Sequence, residues 1–110
     1  MKRLLLLPLL LLLAACKPAE PTPQQLAKVL GQQAMELVDE AKTLLINAAA
    51  SGDVCAKAET INAGLEMAAA KYEAIALLQE ENGEVTNAMR MKGVANGFRK
   101  QARRLRRECG

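Results

Sequence analysis

The chain has 110 residues, of which 51% are apolar and 25% charged, with one Tyr, one Phe and neither Trp nor His. That length accommodates a single domain. The scarcity of aromatics argues against a sheet sandwich or barrel, and the lack of His removes the commonest general base and imidazole metal ligand. The formal net charge of +3 conceals a polarity: residues 17–84 carry five basic and eleven acidic groups, net −6, whereas residues 85–110 carry eight basic groups against one acidic, net +7. Ala and Leu dominate, with Glu, Lys, Arg, Gln and Met beside them, a composition that favours helix.

The amino terminus opens with Met1-Lys2-Arg3, then an apolar run from Leu4 to Leu13 broken only by Pro8, then Leu13-Ala14-Ala15-Cys16. The twelve residues from Leu4 to Ala15, one of them Pro8, are too few to span a bilayer, which needs about 20 apolar residues. A basic start, a short apolar stretch and small residues before a cleavage point are the marks of an export signal. Leu13-Ala14-Ala15-Cys16 resembles the lipobox of bacterial lipoproteins. The resemblance covers residues 1–16 and implies cleavage after Ala15, with covalent lipid on Cys16 as the only attached group. Several acyl chains, each contributing about 0.8 kcal/mol per buried CH₂, make such an attachment lasting. Lys17, rather than an Asp, follows the cysteine, which by the same resemblance implies an outer-membrane address facing the periplasm.

Residues 17–23 hold three prolines and read as an extended tether of about 20 Å. The expected organisation is therefore a signal peptide over 1–15, a lipidated Cys16 with a Pro-rich tether over 16–23, and a helical domain over 24–110. Thr22-Pro23 is a helix start, an N-cap residue followed by proline at the first helical position. Ser51-Gly52-Asp53 and Asn82-Gly83 are breaks, with Asp53 placed to cap the next helix. Three helices are expected, over about 23–50, 54–81 and 84–108.

Apolar spacing supports each of them. Leu30, Ala34, Leu37, Ala41, Leu44 and Ala48 advance by alternating fours and threes, as do Val54, Ala58, Ile61, Leu65, Ala68, Tyr72 and Ile75. Met91, Ala95, Phe98, Ala102, Leu105 and Cys109 repeat the pattern. This is the heptad seam of a coiled coil, and short connections make neighbours antiparallel. The expected fold is all-α: a three-helix, up-down-up, coiled-coil-like bundle behind a lipid anchor. Gly93 and Gly97 in the third helix admit a kink or a close-packed stripe; a continuous helix is favoured. Val38 and Leu45 are candidates for an exposed apolar flank, which leaves oligomerisation open.

With Cys16 committed to lipid, Cys55 and Cys109 remain, and an exported pair usually bridges. Topology agrees. Cys55 lies 27 residues before Asn82 and Cys109 lies 26 after Gly83, so an antiparallel hairpin brings them level. The one-residue difference amounts to about 1.5 Å along the helix axis. A metal site is disfavoured, since two thiolates without His fall short of four ligands.

No nucleophile-and-base pairing emerges: Ser51 reads as a turn residue and Tyr72 as part of the core. No enzyme activity and no cofactor are therefore expected. The prominent surface feature is the basic cluster Arg99, Lys100, Arg103, Arg104, Arg106 and Arg107. Basic residues offset the dipole at a helix C-terminus, yet six exceed that need. Up-down-up topology places them at the tip farthest from the anchor, with the acidic turn Glu80–Glu84 at the other end. The expectation is a tethered interaction module that meets an acidic envelope protein or peptidoglycan through this tip. The alternatives are a structural lipoprotein gripping cell wall or lipopolysaccharide, or an exclusion or immunity-type lipoprotein of a mobile element. Nucleic acid is a poor partner, given export and the lack of nearby stacking aromatics.

Overall fold

The computed structural model describes residues 21–110. Cys16, the signal-peptide segment and most of the tether lie outside the described residues. Three helices follow one another: α1 (Pro23–Ser51), α2 (Val54–Glu81) and α3 (Val85–Cys109). They form an antiparallel up-down-up bundle.

The helix ends follow local chemistry. Thr22 and Gln25 make a capping box: the Gln25 N–H donates to Thr22 Oγ1 at 3.2 Å and the Thr22 N–H donates to Gln25 Oε1 at 3.0 Å. Gly52 ends α1 at φ 72°, the left-handed conformation that glycine adopts without a Cβ penalty, and its N–H returns to the Ala48 and Ala49 carbonyls. Gly83, at φ 78°, serves the second turn. Asp53 departs from expectation. It sits at the N-cap of α2, but its side chain makes no capping hydrogen bond. Its backbone serves instead: the carbonyl accepts from the Ala56 and Lys57 N–H groups, and the N–H donates to the Ala48 carbonyl.

Where the helices approach closely, the contact residue is alanine at seven-residue intervals. Ala34, Ala41 and Ala48 are buried on α1, and Ala88, Ala95 and Ala102 on α3. α2 is buried over a wider arc. Besides the expected Ala58, Ile61, Leu65, Ala68 and Ile75, it buries Asn62, Ala69 and Ala76, a second stripe on its α3 side. The Cys55–Cys109 register sets Asn62 level with Ala102, Ala69 with Ala95 and Ala76 with Ala88. Small facing residues let two helix backbones come together with little side chain between them. On the other flank, a Cβ added to Gly64 would lie 3.5 Å from Ala41 Cβ and 3.6 Å from the Leu37 carbonyl oxygen.

α2 is therefore the central helix. Among the described residues no Cα of α1 lies within 8 Å of a Cα of α3. Larger side chains span that wider gap. Phe98 packs against both core clusters, the one formed by Ala41, Ile61, Leu65 and Ala102 and the one formed by Ala34, Val38 and Ala68. Its ring stacks on Tyr72 with centroids 5.7 Å apart. Val38 belongs to this core at 7% exposure and is not part of an exposed flank, while Leu45 remains 40% exposed.

α3 runs unbroken through Gly93 and Gly97, and a Cβ at either position would meet no atom within 4 Å. The two glycines face open space, so neither a kink nor close packing within the bundle accounts for them. Gly93→Ala and Gly97→Ala are each expected to raise unfolding free energy by about 1 kcal/mol, the helix-propensity difference. Urea denaturation would measure it; a loss of stability in either variant would mean that the glycine backbone is required.

Candidate partner-binding surface

Apart from Arg90 near its start, the basic residues of α3 divide into two sets by their angle about the helix axis. The first set faces α2. Glu66, Glu73 and Glu80 recur every seven residues on α2, and Arg106, Arg99 and Lys92 recur every seven on α3 in the opposite direction. Arg106 Nη2 meets Glu66 Oε1 at 2.7 Å, Arg99 pairs with Glu73, and Lys92 pairs with Glu80. This ladder runs beside the alanine stripe from the Arg106–Glu66 rung to the Lys92–Glu80 rung. Its members are half-exposed, so each pair contributes at most about 1 kcal/mol. The ladder's chief effect on the surface is that Arg99 and Arg106 already have carboxylate partners.

The second set is Lys100, Arg103, Arg104 and Arg107. Their spacing of three, one and three places them on one helix face, and all four are exposed. Arg104 Nε lies 3.8 Å from Glu108 on its own helix, a loose pair between two largely exposed side chains. Among the described residues, no carboxylate lies within 4.0 Å of Lys100, Arg103 or Arg107. Together with Arg106, this set lines a shared surface depression.

The bundle topology places this stripe at the end opposite Thr22. Pro23, Gln24 and Ala27 line a cleft with Leu78, Gln79 and Glu84, which marks the end where α1 begins and α2 finishes. At the other end the Cys55–Cys109 disulfide, with Cα atoms 5.2 Å apart, clips the end of α3 to the start of α2. The basic stripe is thus carried on a helix terminus that cannot fray from its neighbour while the bridge is intact. The two cysteines foreseen from their spacing do come together; of the six foreseen basic residues, four form the open stripe and two join the ladder.

A second cleft beside the disulfide was not foreseen. It is lined by Cys55, Ala58, Glu59, Asn62, Glu66 and Arg106, among others. Asn62 is 2% exposed, and its Oδ1 has no hydrogen-bond partner. Such an orphan costs about 1–3 kcal/mol. Asn62 stands seven residues before Ala69 and fourteen before Ala76, in step with a stripe whose burial only the packed structure reveals.

The residues weighed for chemistry have structural roles. Ser51 Oγ donates to the Asn47 carbonyl at 3.0 Å at the end of α1, and Tyr72 packs on Phe98. Among the described residues no group of three or more Cys, Asp or Glu is placed to hold a metal ion. No described helix is long and apolar enough to cross a membrane. Comparison of the chain with protein-family models, with curated proteins and with solved structures finds no match.

Proposed function

We propose that this chain is a lipid-anchored protein of the bacterial envelope, held by Cys16 at the outer membrane and facing the periplasm. Its helical module then docks on an acidic protein through Lys100, Arg103, Arg104 and Arg107. The observation that supports this reading is the division of charge on α3: the arginines facing α2 are met by carboxylates of that helix, whereas of those facing water only Arg104 has one, the loose 3.8 Å pair with Glu108. A helix that needed basic residues only for internal pairing or dipole compensation would not carry this surplus. Guanidinium groups suit such a surface because each presents a planar fork of donors to a carboxylate. The anchor reading rests on the resemblance of residues 13–16 to a lipobox. A protein of this kind has no catalytic residues and no cofactor beyond its lipid.

Affinity capture from crosslinked envelopes separates the two basic sets. A Lys100→Gln, Arg103→Gln, Arg107→Gln variant is expected to lose the partner recovered with the parent chain. An Arg99→Gln, Arg106→Gln variant is expected to keep it, at a cost in stability of about 1 kcal/mol per ladder rung at most. Equal recovery by both variants would reduce the stripe to a solvated helix end. Recovery of cell-wall fragments in place of a protein would transfer the partner's identity to peptidoglycan.

A further inference from the structure

The face of α2 turned away from α1 and α3 carries a third heptad seam. Thr60, Ala63, Met67, Ala70, Ala74 and Leu77 advance by alternating threes and fours, with no charged residue among them. Both neighbouring helices pack on the opposite side of α2, so this face is bare. Met67 is 54% exposed and Leu77 59%. An ordinary solvated helix face carries charges at such positions. Here, short of Glu81 where the seam reaches the last turn of α2, the charges stand at the two edges and differ in sign. One edge holds Glu59, Glu66, Glu73 and Glu80, and the other holds Lys57 and Lys71.

That edge pattern selects the occupant. A second α2 laid antiparallel on this seam would set each acidic row against its twin, and like charges repel. A second α2 laid parallel sets the acidic edge of one copy against the basic edge of the other. In heptad terms Glu66 flanks the seam at the g position and Lys71 at the following e position, the two positions that meet across a parallel dimer. By symmetry the contact occurs twice. Glu66 already accepts from Arg106, and Lys71 donates to Gln33 Oε1 at 3.0 Å. Neither role is exhausted, because a carboxylate offers several lone pairs and an ammonium three protons.

We infer that a second copy of this chain covers the outer face of α2, forming a parallel dimer with α2 against α2. In such a dimer both Thr22 ends lie together, as a shared membrane anchor would require, and both basic tips point the same way. The inference does not rest on what the tips bind.

Single cysteines test it in cells producing the full-length chain. Ala63→Cys, Ala70→Cys and Leu77→Cys are expected each to yield a disulfide-linked dimer under mild oxidation, since the same residue faces itself along the whole of a parallel seam. Met35→Cys and Met89→Cys, on exposed surfaces of α1 and α3, are expected to stay at the background of the parent chain, which also reports any link through Cys16. Adding Met67→Glu to the Ala70→Cys chain buries an unpaired charge at the seam and is expected to cut its crosslinking at least about tenfold. Met67 is exposed in the single copy, so that change leaves the bundle folded. Linkage at one seam position alone means an antiparallel contact and overturns the inference. Linkage at none of the three, with Cys55–Cys109 intact, overturns it as well.

Discussion

Replacing both Cys55 and Cys109 with serine is expected to lower the unfolding free energy by about 4 kcal/mol. The bridge joins residues 54 apart in the chain, and in the chain-entropy account closing a loop of that length removes about 4 kcal/mol worth of freedom from the unfolded state. Helical domains of this size are stable by only about 5–15 kcal/mol in all, so the bridge supplies a large share. At about 4–8 °C per kcal/mol for domains of 60–100 residues, the melting temperature should fall by some 15–30 °C. Thermal melts followed by circular dichroism, with parent and double variant side by side, measure this directly. The loss should also be uneven. The C-terminal turns of α3 end beside the bridge, and without it the Arg106–Glu66 rung and the basic stripe are the first parts free to fray. Amide exchange over residues 100–109 should therefore rise more than over the middle of α2. A fall in melting temperature under about 5 °C would mean that packing alone holds the α2–α3 pair, against the entropic account.

Ala95→Leu is expected to destabilise the bundle by about 1–3 kcal/mol or somewhat more, the range typical of overpacking a well-filled core. Ala95 has no exposed surface and stands level with Ala69, which has none either. The isobutyl group of leucine has no void to enter, so α3 must move away from α2. Doing so stretches the ladder of Lys92, Arg99 and Arg106 with their glutamates and loads the disulfide clip at the end. Leucine is itself a good helix former, so the loss cannot come from the helix in isolation. The adjacent exposed change Asn96→Leu is the control and should leave stability within about 0.5 kcal/mol. Urea midpoints for the two variants decide the matter. A neutral Ala95→Leu would show that the helices separate at little cost and that the alanine stripes are not the reason for their close approach.

The same alanines show how far a linear reading of this chain can go. The limits of the helices were written locally: Thr22-Pro23 starts α1, Gly52 ends it, and Asn82-Gly83 separates α2 from α3. Each is a matter of one or two residues and the backbone groups beside them. The disulfide was legible because hairpin length and cysteine spacing agree on a single register. The three heptad seams were visible because apolar residues advance by alternating threes and fours through each helix.

What the sequence did not determine was how far each helix is rotated about its axis. Alanine is small and tolerated on either side of the surface, so Ala69 and Ala76 carry no sign of burial that distinguishes them from the exposed Ala63 and Ala70. Only packing against two neighbours at once makes α2 buried over a wide arc and traps Asn62 inside it. The same rotation decides the arginines. Six basic residues within nine positions look alike in sequence, yet the turn of α3 that brings Ala88, Ala95 and Ala102 against α2 carries Arg99 and Arg106 onto Glu73 and Glu66. It leaves Lys100, Arg103, Arg104 and Arg107 to the water. Local backbone chemistry and apolar periodicity set which segments are helices and which ends meet. The angle at which those helices lie together, and with it the free charge, follows from mutual packing, because a charge can reach only the partners that the packed core turns it toward.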